Sequence, residues 1–258
     1  MERLAALPIA ELRRRAQSTA PEAGRDPLIG LTIRFFSIYV TKVLIGTPIT
    51  PNQVTALSVF VFLAGMALFA FASVPLYAVG IFLVYLSVVL DGVDGEIARL
   101  KFPGRKVGSL WTEPVSHDIQ YALMYVPLAI NAWQVTGSVV PVFVGLGAAI
   151  TKLLYRLLDH RFAQLQYWLK VEAGAAQSVQ TFQTPFVKNV GFPQRAYRLL
   201  NRNVFSSVGL VVPLAACAAF NRIDVFLWMF GVYYLTVTVI AFLKHVRYVS
   251  GLARPPAP

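Results

Sequence analysis

Long apolar blocks, parted alternately by short turns and by basic segments, limit what this chain can fold into. Such blocks run over residues 54–72, 76–90, 114–133, 139–158, 204–220 and 225–243. A helix needs about 20 apolar residues to cross a bilayer. The apolar residues fill these blocks instead of recurring as a single stripe, which excludes the surface helices of a soluble domain. Charged residues make up only 14% of the 258, against 57% hydrophobic, where a soluble domain carries about 25% charged residues. The expected fold class is an all-α integral membrane protein with six transmembrane helices.

The net charge of +11 raises the question of nucleic acid. The Lys and Arg residues, however, gather between the apolar blocks, where anionic lipid headgroups and phosphate-bearing substrates are better partners. No nucleic acid is expected. Every Lys and Arg except Arg222 falls on or near one side of a six-span arrangement. That side, which also takes both termini, is expected to be cytosolic. The single cysteine, Cys217, allows neither an internal disulfide nor a cysteine metal site. Residues 1–15 lack the apolar core of a cleaved signal peptide, so the first span is expected to direct insertion. No repeat of fixed period, direct or inverted, is evident.

Residues 1–28 form a polar tail with a basic cluster at Arg13, Arg14 and Arg15. It reads as a disordered cytosolic tail or as a short helix on the headgroups. Residues 29–47 are apolar apart from Arg34 and Lys42, which stand eight apart and share a helical face. This predicts an N-terminal interfacial amphipathic helix, with Phe35, Phe36 and Tyr39 toward lipid. Pro48 and Pro51 break the helix, and Thr50 before Pro51 suits a helix start. Short turns are expected at 73–75, at Gly137-Ser138 and at Asn221–Asp224, with Trp133 and Trp228 as anchors near the far side. The basic segment 159–203, carrying Tyr167, Trp168 and Phe182, reads as a cytosolic or interfacial insert within one membrane domain, 29–248. A Pro-rich basic tail, 249–258, closes the chain.

Chemistry concentrates between Asp91 and Asp118, directly after an apolar block. Asp91 and Asp94, three apart, share a helical face about 5–6 Å apart at Cβ. Two carboxylates that close repel one another, and a hard divalent cation relieves the repulsion. Gly92, Gly95 and Ala98 leave room beside them, and Arg99, Lys101, Arg105 and Lys106 bring cations suited to phosphate. Carboxylate pair, small residues and Arg together read as a phosphate-ester or nucleotide site.

Asp91-x-x-Asp94-Gly95-x-x-Ala98-Arg99, eight residues and then Gly108 resembles the first part of the CDP-alcohol phosphotransferase signature, D-x-x-D-G-x-x-A-R-x(8)-G-x(3)-D-x(3)-D. The T-P-N-Q-V-T lead-in to the first span is also similar to that family. The resemblance implies a membrane enzyme that moves a substituted phosphate from a CDP-linked donor to an acceptor hydroxyl and releases CMP, as in phospholipid biosynthesis. It implies Mg²⁺ or Mn²⁺ on Asp91 and Asp94, with Asn52, Thr55, Gly95, Ala98, Arg99 and Arg105 along the CDP moiety. It also implies a homodimer. By position alone, Lys152, Arg156 and Arg202 suit an acceptor phosphate or lipid.

The second half of the signature departs. Its third and fourth Asp fall at Thr112 and Ser116, whereas Glu113 and His117 keep the spacing one residue later. Glu113 is then the expected third metal ligand and His117 the expected general base, with Asp118 able to orient or replace His117. The alternative is a catalytically altered or inactive member that binds nucleotide or lipid.

Overall fold

The computed structural model describes residues 2–18, 28–104, 111–172 and 191–252. The described residues are almost wholly helical and include no strand. The helices are α1 (Glu2–Ala5), α2 (Ile9–Ala16), α3 (Leu28–Leu44), α4 (Pro51–Ala67), α5 (Val74–Lys101), α6 (Glu113–Leu123), α7 (Tyr125–Thr136), α8 (Val140–Glu172), α9 (Phe192–Leu200), α10 (Val211–Ala219) and α11 (Ile223–Leu252). A 3-10 turn, Leu68–Phe71, ends α4, and a π-helical turn, Asn201–Phe205, follows α9.

Four helical stretches are long and apolar enough to cross a membrane: Pro51–Phe71, Val74–Lys101, Val140–Glu172 and Ile223–Gly251. Their outer faces stay apolar, with Phe60, Phe82, Phe143, Leu146, Leu235 and Ile240 exposed. Lipid, unlike water, rewards such a surface. An all-α membrane protein is the class this supports.

The remaining two expected spans are interrupted. Residues 114–133 form two helices, α6 and α7, that meet at Met124. Pro127 has no N–H to return to the Leu123 carbonyl, so the ladder cannot run through. Residues 204–220 divide into the π-helical turn, an extended Ser206 and α10.

Local chemistry sets the helix limits. Thr50 and Gln53 form a capping box around Pro51: Thr50 Oγ1 accepts from the Gln53 N–H, and Gln53 Oε1 accepts from the Thr50 N–H. Gly137, at φ 67°, closes α7, and Asn221, at φ 53°, turns the chain into α11. Between α3 and α4 the ammonium of Lys101 donates to the carbonyls of Thr47 (2.6 Å) and Ile49 (2.9 Å). The end of α5 thus pins the lead-in to α4.

The tightest helix crossing joins α4 to α5 at Gly65 and Gly80. A Cβ on either residue would stand 2.8 Å from the other's carbonyl oxygen. The main core continues from there through Phe69, Tyr77, Tyr125, Phe226, Phe230 and Tyr234. Buried Asn131 donates to the Phe69 carbonyl (2.7 Å) and to Tyr77 Oη (2.6 Å), tying α7 to this crossing.

Three expectations change. The first concerns the amino-terminal segment, read as a tail: its residues 9–16 form α2, which buries Leu12 and Ala16 against Ile38 of α3. On its outer side Arg14 and Arg15 chelate Glu11 and hold that carboxyl down at about 2. The second concerns α3, where Phe35, Phe36 and Tyr39 are exposed as expected. Its cations, however, turn to protein: Lys42 donates to the Ala5 and Leu7 carbonyls (both 2.5 Å), and Arg34 approaches the Gln17 carbonyl (3.5 Å). The third concerns 159–172, expected to lie on the membrane as part of an insert. These residues instead continue α8 as one helix of 33 residues, about 50 Å long. Phe162 stacks on His245 at 4.0 Å, so α8 and α11 stay paired along this extension. Phe182 lies outside the described residues.

The Gly65–Gly80 contact yields a stability prediction. Gly80→Ala should destabilise the protein by about 1–3 kcal/mol, because its Cβ meets a backbone oxygen that cannot yield. Gly147→Ala, which meets nothing within 4 Å, should be neutral or stabilising by up to about 1 kcal/mol. Thermal unfolding in detergent micelles separates the two. Equal transitions for both variants would contradict the close crossing.

Candidate functional site

The acids lie on the last turns of α5. From Val74 to Leu90 the helix rises about 25 Å, close to the thickness of a bilayer's hydrocarbon core. Asp91 therefore stands where a spanning helix would leave the hydrocarbon, and the remaining turns are free to carry polar groups.

Asp94 is buried, and its Oδ2 accepts from Thr55 Oγ1 at 2.5 Å. Thr55 sits one turn beyond the capping box of α4, so the α4–α5 crossing delivers this hydroxyl to the carboxylate. Asn52, three residues earlier, is exposed at the start of α4. Asp91 is half-buried, with Oδ1 3.2 Å from His117 Nε2. The pair lines a narrow crevice, with room for about one water molecule, together with Ser87, Gln120, Tyr121 and Ser207.

Glu113 is exposed at the first position of α6, a favourable end of a helix for an acid. It is near enough to act electrostatically on both Asp94 and His117. Ser116, at one of the two missing-acid positions, is buried, and its hydroxyl donates to the Glu113 carbonyl at 2.7 Å. His117, not Ser116, reaches Asp91.

Asp118 does not orient His117. Its Oδ1 accepts from Arg156 Nε at 2.9 Å, which ties α6 to α8 and engages Arg156 within the protein. Lys152, one turn earlier on α8, places Nζ 4.3 Å from the Tyr121 ring centre and 4.6 Å from that of Tyr234. A cation over two aromatic faces is a favourable arrangement. Lys152 thereby stands beside a wall of the crevice. Arg202 lies on the π-helical turn, where the Ser206 hydroxyl donates to its carbonyl at 2.6 Å. Such turns recur at functional sites because they re-aim side chains.

Beyond the acids, Gly95 and Ala98 line the same stretch of α5, and Arg99 folds back across Gly95. A Cβ at Gly95 would lie 3.2 Å from a guanidinium nitrogen of Arg99. Arg99 Nε donates to the Ala16 carbonyl at 2.5 Å. Arg105, with Lys106 and Gly108, lies outside the described residues.

Sequence reading missed Glu96. It is 2% exposed, more deeply buried than Asp94. Its Oε1 accepts from Gln17 Nε2 (2.7 Å) and Ser37 Oγ (2.6 Å), and its Oε2 accepts from Thr41 Oγ1 (2.6 Å). Ser37 and Thr41, four apart on α3 and both buried, are the available signal: two hydroxyls on one face need a polar partner.

Asp91, Asp94 and Glu113 supply hard oxygen donors of the kind Mg²⁺ or Mn²⁺ takes. Asp91 and Asp94 suit such an ion by spacing. Among the described residues, no three His, Cys, Asp or Glu side chains converge closely enough to hold one. Compared with known proteins, the chain matches no family model, and no curated protein is found similar to it.

The Thr55–Asp94 bond makes a separable prediction. Thr55→Val keeps the side chain's shape but removes the hydroxyl that donates to Asp94, leaving a buried carboxyl short of a partner at a cost of about 1–3 kcal/mol. Thr55→Ser should stay near the parent. The difference in thermal midpoint between the two variants reads this directly, and identical midpoints would remove the bond from the account.

Proposed function

We propose that this chain is a membrane phosphotransferase of the CDP-alcohol type, transferring a substituted phosphate from a CDP-linked donor to an acceptor hydroxyl with release of CMP. The observation that carries this reading is the pairing of Asp91 with His117 beside the buried Asp94–Thr55 pair, at the end of an apolar helix. It brings a carboxylate pair from one half of the motif to an imidazole from the divergent half.

In this reading six spans cross the membrane, counting α6–α7 and the π-helical turn with α10 as one span each. The basic ends and both termini face the cytosol, and two copies associate. Asp91 and Asp94 would hold Mg²⁺ or Mn²⁺, with Glu113 closing in as third ligand. The ion would supply charge neutralisation for the pyrophosphate of the donor. Arg99, laid across Gly95 beside Ala98, is the proposed contact to the nucleotide part, with Asn52 reaching from α4.

His117 is the proposed base. With its Nε2–H donating to Asp91, the imidazole keeps a lone pair on Nδ1 and can take the proton of the acceptor hydroxyl. Asp91 holds the ring in that tautomer. The hydroxyl oxygen then forms its bond to the β-phosphorus as the bond to CMP breaks. Lys152, near Tyr121, and Arg202 are the cations proposed for an acceptor phosphate or lipid; Arg156, paired with Asp118, is less available for that role.

A second reading is a catalytically altered or inactive relative of such enzymes that binds nucleotide or lipid. It is favoured by the lack of three converging metal-ligand side chains among the described residues.

The test is metal-dependent CMP release from a panel of CDP-diacylglycerol and CDP-alcohols by the purified protein in lipid. Asp91→Ala, Asp94→Ala and Glu113→Ala should each lower release by at least about 10²-fold. His117→Ala should lower turnover by about 10²–10⁴-fold while changing donor KM far less. A Thr112→Ala defect larger than that of Glu113→Ala would refute the one-residue shift. CMP binding without any release would favour the second reading.

A further inference from the structure

Glu96 stands inside the motif at a position the resemblance leaves open, and it faces away from the acid pair. Asp94 and Glu96 are two apart, so their side chains leave α5 about 160° apart. Glu96 is buried among three neutral donors, and the one from α2's end, Gln17, is the hub. Gln17 Nε2 lies 2.7 Å from both Glu96 Oε1 and the Arg34 carbonyl, and the Gln17 carbonyl faces Arg34 Nη1 at 3.5 Å. The neighbouring Ala16 carbonyl receives Arg99 Nε. One residue pair, Ala16-Gln17, therefore holds two members of the motif, Glu96 and Arg99, which are themselves three apart on the same side of α5.

The charges agree with the geometry. Glu96 stands first among the acids that attract Arg99, while Arg34 of α3 repels it. No ion pair joins Arg99 to Asp91 or Asp94 among the described residues. The guanidinium is drawn to the α2 side and laid across Gly95.

We propose that α2 is a clamp on the motif, and that Gln17 and Glu96 are positioning residues that fix the Arg99 guanidinium. The consequence for nucleotide rests on the CDP-donor reading; the clamp itself does not. Residues 9–17 then belong to the site and are not a dispensable tail.

The full chain in lipid nanodiscs is compared as parent, Gln17→Glu, Gln17→Leu and the exchange Gln17→Glu with Glu96→Gln. Amide exchange over residues 9–16 and the rate of phenylglyoxal modification of Arg99 are measured, with Arg222 as the internal standard. Gln17→Glu sets a like charge against Glu96, and both rates should rise by about tenfold or more. Gln17→Leu, which adds no charge, serves the same purpose if Gln17→Glu does not fold. The exchange restores a carboxylate–carboxamide pair and should bring both rates back to within about threefold of the parent. Loosened α2 with unchanged Arg99 reactivity would overturn the proposal, as would a folded exchange variant that restores neither rate. In the same samples, CMP with Mg²⁺ should bind about tenfold more weakly to Gln17→Glu than to the parent. A parent that binds no CMP would sink the CDP-donor reading, while the two protein rates would still decide the clamp. Parent-like CMP affinity with a reactive Arg99 would show that the clamp does not serve nucleotide, and would overturn its assignment to the site.

Discussion

Two carboxylates on one turn of α5, Asp94 and Glu96, are removed from water, and each must be satisfied where it lies. An ionised group in an apolar setting without partners costs far more than a helix of this size can offset. The two acids point to opposite sides of α5, so two different sets of neighbours are required. Thr55 comes from α4 on one side. Ser37 and Thr41 of α3, with Gln17 beyond α2, come from the other. The packing of the first three major helices around the end of α5 is therefore tied to the charge on that helix as much as to its apolar face.

That requirement depends in turn on backbone approach. Thr55 can reach Asp94 because α4 and α5 lie close, and they lie close because Gly65 and Gly80 present carbonyls where other residues present a Cβ. Ten residues separate Gly65 from Thr55, nearly three turns, so a crossing fixed in the apolar region is transmitted along a stiff helix to the polar end. At that end Lys101 caps the loop before α4 and prevents it from drifting. Membrane helices have no hydrophobic drive toward one another in lipid, so small-residue contacts and polar ties of this kind carry the association.

Much of this was legible in the sequence where the cause is local. The apolar blocks, the Thr50–Pro51 start, the Gly137 and Asn221 turns and the shared face of Asp91 and Asp94 all follow from spacing within a few residues. Glu96 was not legible, because its partners stand 55 to 79 residues away along the chain. The amino-terminal residues 9–16 read as a tail or a short helix on the headgroups because a lone eight-residue helix has nothing to bury against; Leu12 and Ala16 suffice once α3 supplies the other wall. The 159–172 stretch reads as cytosolic or interfacial because it is polar with scattered aromatics, yet a helix paired with α11 can continue beyond the apolar region without a break. Adjacent helical residues diverge by about 100°, which already sets Asp118 apart from His117; its partner Arg156, 38 residues on, is not legible from spacing.

The same divergence bears on how α6 serves the site. Over one turn it offers Glu113 toward the acids, His117 to Asp91 and Asp118 to Arg156 of α8. The Asp118–Arg156 pair ties α6 to α8, while Ser116 and Tyr121 bury another part of α6 against the protein. On the opposite flank, Glu96 and the Ala16 carbonyl draw Arg99 away from Asp91 and Asp94. Among the described residues, no guanidinium is paired with either carboxylate. Two close carboxylates kept from their nearest arginine repel one another, and a cation beside them relieves that repulsion.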